Sequence, residues 1–141
     1  MSENRKLVMQ VNVSISKDDI SVIDGPGEQV VFIPFSGTVE GEIFNGVVCP
    51  GGVDVQRVNL AGVRHMCARY MLKGKDFEGN DCSIFVENNG WFSEGMGPTF
   101  KTVPTFITDS PALAPYLHSR RFTGEGIPGP EGVTIRLYAE G

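Results

Sequence analysis

Long apolar runs are missing from this 141-residue sequence. No stretch approaches the ~20 residues a membrane-spanning helix needs, and the polar opening MSENRK leads into a strand pattern without a signal-peptide core. The expectation is a cytoplasmic protein with no membrane partner. Clustered basic charge is also missing: twelve Lys and Arg against seventeen Asp and Glu give a net charge of -5, with no Lys/Arg run to grip phosphate, so nucleic acid is not an expected partner. Cysteine is scarce and odd in number. Cys49, Cys67 and Cys82 show no CxxC spacing, which suits reduced thiols packed as small hydrophobes and not a disulfide framework. With two histidines and no HxxxH pair, no metal site is expected. No GxxxxGK[ST] phosphate loop and no GxSxG elbow is present, and no cofactor is expected. Repeats, low-complexity tracts and a long helical period are absent as well.

What remains is alternation and punctuation. The 40% hydrophobic composition and length fit one domain over residues 1–141 that buries ~68% of its unfolded surface. Residues 7–15 alternate, with Leu7, Met9, Val11, Val13 and Ile15 on one face, as a half-buried strand requires. Further strands are expected at 20–23, 29–39, 53–58, 63–73, 82–87, 100–108 and 133–139, with a short one at 120–123. The apolar run 30–33 suggests burial on both faces, and Pro34 belongs at a bulge or edge. Asn45-Gly46 and Asn89-Gly90 read as hairpin turns, because both dipeptides tolerate the positive φ of a type I′ turn. In 63–73, Arg64, Met66, Ala68, Tyr70 and Leu72 share one face, and His65, Cys67, Arg69 and Met71 the other. That mixture suits a barrel whose lumen is partly polar. Residues 91–98 and 124–132 are expected loops. Ser110-Pro111 starts a helix that Pro115 keeps short, at most 112–118. The fold class is all-β: a closed antiparallel β-barrel of about eight strands with at most one short helix, a sandwich being the alternative.

Several segments together resemble a known family: GTVEGEIFNGVVCPGGVD at 37–54, ARYMLKGKDFEG at 68–79, a Gly-Trp at 90–91, TVPTF at 102–106 and IRLYAEG at 135–141. The chain resembles the small bacterial and fungal proteins grouped as domain of unknown function 3237. Its most specific element is Pro-Gly-Gly-x-Asp at 50–54. The resemblance implies a compact antiparallel barrel, often oligomeric, and carries no established activity or catalytic residue. Val53-Asp54-Val55 stands where the family more often has small-Asp-aromatic.

Charged residues within strands mark the candidate site. Glu40, Asp54, Arg57, Arg69, Tyr70 and Glu87 sit in or beside segments that otherwise want apolar side chains, and a charge inside a barrel persists only when paired. Arg69 is expected to meet Asp54 or Glu87. The pair is either a structural brace or an arginine holding an anionic or phenolate ligand beside a carboxylate base. Trp91 completes the binding candidates and, with Phe92, Met96 and Phe100, reads as a lid over the barrel mouth or as ordinary packing. His65 and Cys67 could share a metal with Glu40 or Glu87, but a packed histidine and thiol is the simpler reading. His118 suits a helix C-terminus and needs no other role. Gly124 to Gly129 matches GxGxxG without the strand-turn-helix context the motif requires.

The expected function is binding of a small organic ligand, anionic or phenolic, in the lumen, with or without cofactor-independent proton transfer. The competing expectation is a structural, oligomer-forming protein whose barrel is filled. A homo-oligomer is expected either way.

Overall fold

The computed structural model describes residues 5–92 and 97–141. It contains eleven strand segments: β1 (Lys6–Ser14), β2 (Ser21–Asp24), β3 (Gln29–Pro34), β4 (Ser36–Gly41), β5 (Phe44–Val48), β6 (Val53–Val58), β7 (Arg64–Asp76), β8 (Asp81–Phe92), β9 (Phe100–Thr108), β10 (Phe122–Pro128) and β11 (Gly132–Ala139). A 3-10 turn at Lys17–Asp19 and a single helix, α1 (Ala114–Ser119), complete it. All pairings are antiparallel, in the order β2-β3-β6-β7-β5-β4-β1-β11-β10-β9-β8, and β8 returns to β7. The sheet therefore closes on itself.

Eleven segments make eight strands. β1 and β2, β3 and β4, and β5 and β6 are three long strands, each interrupted once, and β7 to β11 supply the other five. The interruptions fall at one level of the barrel. Phe35 breaks β3 from β4, and its N–H donates to the Gly52 carbonyl at 3.0 Å, in the segment that separates β5 from β6. On the β7 edge, Val48 pairs with Leu72 and Val53 with Arg69, while the Cys49 N–H between them donates to the Met71 carbonyl at 2.8 Å.

Below this level the barrel is filled. Phe44, Met9, Leu72, Ile84 and Leu137 are fully buried, and α1 packs against β9, bringing Leu113 and Leu117 into the same cluster. Phe106 and Phe122 meet edge to face at 5.0 Å there. The Ser110 hydroxyl donates to Asp76 Oδ2 at 2.7 Å and accepts from the Leu113 N–H at 3.1 Å, while Asp76 Oδ1 accepts from the N–H groups of Glu78 and Asn80. One carboxylate thus ties the β7–β8 turn to the start of the helical segment. These hydrogen bonds, led by that from Ser110, hold its pKa below the usual carboxylate value.

The closed eight-stranded barrel and short helix match the expectation, and several local expectations change. Asn45-Gly46 and Asn89-Gly90 lie inside β5 and β8, with neither glycine at positive φ; the real turns use Gly27, Gly51, Gly62 and Gly79. Gly46 is needed for closeness instead. It faces Gly74 across the β5–β7 pair, where a Cβ on either would strike the carbonyl of Lys73 or Asn45. Residues 124–128 continue strand β10 and are not loop, because Gly124 and Gly126 let Thr102 and the Phe100 ring lie against the backbone. A bulge between Leu7 and Met9 turns Val8 inward and leaves Leu7 exposed. The run 30–33 is buried on neither face: β3 lies one strand from an open edge, and Phe32 is exposed. Pro115 occupies the first turn of α1, where a proline costs no hydrogen bond. The expected lid partly dissolves, since Trp91 and Phe92 belong to β8, while Met96 lies outside the described residues.

Gly74→Ala should lower unfolding stability by about 1–3 kcal/mol in urea titrations, because the added methyl meets backbone and cannot be absorbed by rotamer change. Lys73→Ala, one residue away and pointing outward, should leave the midpoint nearly unchanged.

Candidate functional site

Above the level of Phe35 and Gly52 the lumen is not filled. A partly enclosed cavity of about 180 Å³ lies between the inward faces of β1, β3, β6, β7, β8, β9 and β11. Its floor is Tyr70 and Phe35, whose rings meet edge to face at 5.2 Å. Its walls are mainly apolar: Ile33, Met66, Phe100, Val133 and Ile135 all line it.

Four polar side chains interrupt this lining: Asp54, Gln56, Asn88 and Thr102. Strand register explains their convergence. Asp54 on β6 is level with Ala68 on β7, which is level with Asn88 on β8, so two polar side chains flank a small one on a single inward row. Gln56 and Thr102 occupy the next row toward the mouth, with Met66 and Gly90 between them. A short chain of hydrogen bonds orders one side. Arg64 Nη1 donates to Gln56 Oε1 at 3.0 Å, and Gln56 Nε2 donates to Asp54 Oδ2 at 2.7 Å.

The remaining polar atoms have no such partner. Asp54 Oδ1, Asn88 Oδ1 and Thr102 Oγ1 are buried and make no hydrogen bond among the described residues, and all three side chains line this cavity. Leaving a buried polar atom unpaired costs about 1–3 kcal/mol. Burial raises the Asp54 pKa above its ordinary value, against the opposing pull of Gln56 and, more weakly, Arg64 and His65. Burial also pushes the Tyr70 phenol well above its usual range, with the Asp54 charge adding to the effect. The cavity thus holds a neutral phenol beside a carboxyl that keeps its proton to higher pH than a solvated one.

Of the seven residues singled out in the sequence, the structure brings two to this cavity, Asp54 and Tyr70. Five lie on the outer surface. Arg69 donates through Nε to Glu87 Oε2 at 2.7 Å, a level pair across β7 and β8 that is well solvated on the arginine side, so Arg69 meets Glu87 and not Asp54. Arg57 is exposed beside His65 on the neighbouring strand. Trp91 stacks on the His65 ring at 4.9 Å, and His65 Nε2 lies 3.1 Å from Asn89 Oδ1. Glu40 faces outward with Gln10 and Asn12. Cys67 shares the outer face of Arg69 and Glu87, its thiol pKa raised by partial burial, and no metal-binding cluster of His, Cys, Asp and Glu occurs among the described residues. His118 Nε2 accepts the Thr108 N–H at 3.1 Å, which gives it a structural role at the helix.

Asn88 and Thr102 escaped the sequence reading, although a signal exists. Cys82, Ile84, Val86 and Asn88 share one parity, as do Thr102, Pro104 and Phe106, so each polar residue stands where its strand otherwise sends side chains inward. Ending the strand at Glu87 for an Asn-Gly turn concealed the first.

A family model described as protein of unknown function (DUF3237) matches residues 4–139. A UPF0311 protein of Clostridium acetobutylicum is 30% identical over 141 residues, covering 89% of this chain and 83% of that protein. A crystal structure of a protein with unknown function from the same organism has a TM-score of 0.82 at 29% identity, over 98% of this chain and 97% of that one. At the level of fold alone, an enzyme from Penicillium herquei gives a TM-score of 0.66 at 17% identity, over 98% and 94% of the two chains.

The raised Asp54 pKa has a defined consequence for stability. The folded protein holds this proton more tightly than the unfolded chain, so its contribution is favourable at low pH and is lost as pH rises through the folded-state value. Asp54→Asn removes that dependence. The melting temperature of the variant minus that of the native protein should grow between about pH 4 and about pH 7. A difference that shrinks over that range would mean that the Asp54 carboxylate is stabilised in the folded state.

Proposed function

The chain belongs to the DUF3237 family of proteins of unknown function, and from that premise we propose that its barrel binds a small hydroxyl-bearing organic metabolite, phenolic in type, in the open half of its lumen. The observation that carries this reading is the convergence of Asp54 Oδ1, Asn88 Oδ1 and Thr102 Oγ1, three unpaired buried polar atoms, on one apolar cavity. A ligand with a flat apolar body fits against Phe100, Met66 and Ile135, while its hydroxyl groups donate to the waiting oxygens.

Of the two expected chemistries, phenolic fits better than anionic. Arg57 and Arg69 face outward, Asp54 is the one acid that lines the cavity among the described residues, and the Arg64 guanidinium is engaged by Gln56. An anion entering here would meet a carboxyl and, among the described residues, no free cation. The raised pKa of Asp54 also suits proton exchange with a ligand hydroxyl, since a carboxylate desolvated by burial is a stronger base toward that proton than a solvated one. Asp54 is the proposed proton-exchanging group, with no cofactor invoked. The space above Tyr70 argues against a barrel filled throughout by side chains.

Thr102→Val replaces an unpaired hydroxyl with a methyl of similar shape. It should raise the melting temperature of the free protein and reduce the shift produced by hydroxylated aromatic compounds in a thermal panel. Ala68→Phe, which fills the space between Asp54 and Asn88, should abolish that shift while the far-ultraviolet circular dichroism stays native. Undiminished shifts in Ala68→Phe would place binding outside the lumen and overturn the reading.

A further inference from the structure

The two oxygens of Asp54 are not equivalent. Oδ2 accepts from Gln56 Nε2 at 2.7 Å, whereas Oδ1 is buried without a hydrogen-bond partner among the described residues, in a side chain that lines the cavity. What separates them stands two rows nearer the mouth. Arg64 on β7, level with Val58, shares the inward parity of Met66, Ala68 and Tyr70, and its Nη1 donates to Gln56 Oε1 at 3.0 Å. A guanidinium has five N–H donors and no acceptor, so the amide meets it through its oxygen and turns its NH2 group toward Asp54. An amide that could lie either way round is thereby given one orientation. The same logic passes to the acid: the carbonyl oxygen of a carboxyl accepts better than its hydroxyl oxygen, so the Gln56 N–H keeps Oδ2 free of the proton in both states of Asp54.

We infer that Arg64 is a positioning residue: acting through Gln56, it holds Asp54 Oδ2 as an acceptor and leaves Oδ1 as the one atom through which the acid exchanges a proton with a bound hydroxyl. The role rests on the lumen binding proposed above. In the exchange the ligand O–H bond breaks, a bond to Oδ1 forms, and the electron pair stays on the ligand oxygen; the reverse step returns the proton to it. A carboxyl free to rotate would offer either oxygen and lose this aim. Other groups around Asp54 do not duplicate the role. Level with it, β3 supplies Ile33, β7 Ala68 and, beyond that, β8 Asn88, all uncharged. On β7, burial keeps the Tyr70 phenol neutral, and His65 and Cys67 have outward parity. Gln56 opposes the effect of burial on the Asp54 proton more strongly than the Arg64 charge does, as action through the amide requires.

NMR titration of the Asp54 carboxyl carbon in the free protein tests this through a double-mutant cycle, with no ligand needed. Gln56→Leu should move the Asp54 midpoint upward, and so should Arg64→Met while Gln56 is present, because the released amide no longer has to offer its N–H. In the Gln56→Leu background the shift caused by Arg64→Met should fall to less than about half. Arg64→Lys, which keeps a charged donor without an acceptor, should hold the midpoint near the native one. Equal Arg64→Met shifts in the two backgrounds overturn the inference, since the guanidinium would then act by its charge alone. An unmoved midpoint in Arg64→Met or in Gln56→Leu overturns it as well. Phenol probes the premise separately: a native melting temperature that it does not raise sinks lumen binding and with it the exchange partner, whereas failure of the cycle alone leaves binding intact.

Discussion

A strand edge can be hydrogen-bonded once along its length, and the architecture follows from how β7 divides its own. Its thirteen residues pair with β8 from end to end on one side. On the other, the first half takes β6 and the second half β5, with the Cys49 N–H reaching the Met71 carbonyl between them. That division breaks the neighbouring long strand at residues 49–52 and sets the level at which Phe35 interrupts the next. Below it side chains fill the barrel in one buried cluster; above it the strands enclose space.

The polar atoms in that space conflict with stability. Three unpaired buried oxygens and an acid with a raised pKa each make the free protein less stable than an apolar lining would. Ala68, small and level with both Asp54 and Asn88, keeps them from being separated by bulk. Natural sequences break local rules of this kind mostly where something other than folding is at stake. By contrast, Asp76 resembles Asp54 in type and is fully served by Ser110, Glu78 and Asn80, which is how a carboxylate looks when its task is structural.

Parity along strands was the part of the fold that could be read from residues alone. The assignment of Arg64, Met66, Ala68, Tyr70 and Leu72 to one face of β7 holds, and it sets Tyr70 inward and Arg69 outward. Turn chemistry misled, because Asn-Gly signals a hairpin only when the neighbouring pairings agree. In β5 and β8 the ladders run through the dipeptide, and Gly46 serves the approach of β7. The site was half visible for a related reason. Ranking residues by the cost of burying charge selected Arg69, Glu87, Arg57 and Glu40, which the barrel leaves in water, whereas neutral Asn88 and Thr102 carry no such flag: parity along β8 and β9 points them inward, and register across four strands brings them to Asp54. Asp54 was found because it is both charged and inward.

The sealed end has a consequence for how such a chain changes over time. Phe44, Leu72, Ile84, Leu137 and the residues beneath α1 share one core cluster with the cavity-lining Phe35, Tyr70 and Ile135, whereas Met66, Asn88 and Thr102 stand outside it, so a substitution at one of those three disturbs little of what holds the barrel shut. Substitutions in a lining typically cost ~1 kcal/mol, and a fold that concentrates its stability elsewhere can accumulate several before it fails. Drift can therefore retune the mouth of this barrel while its base keeps the lineage superposable, and descendants of one ancestor can diverge in what they recognise long before they diverge in shape.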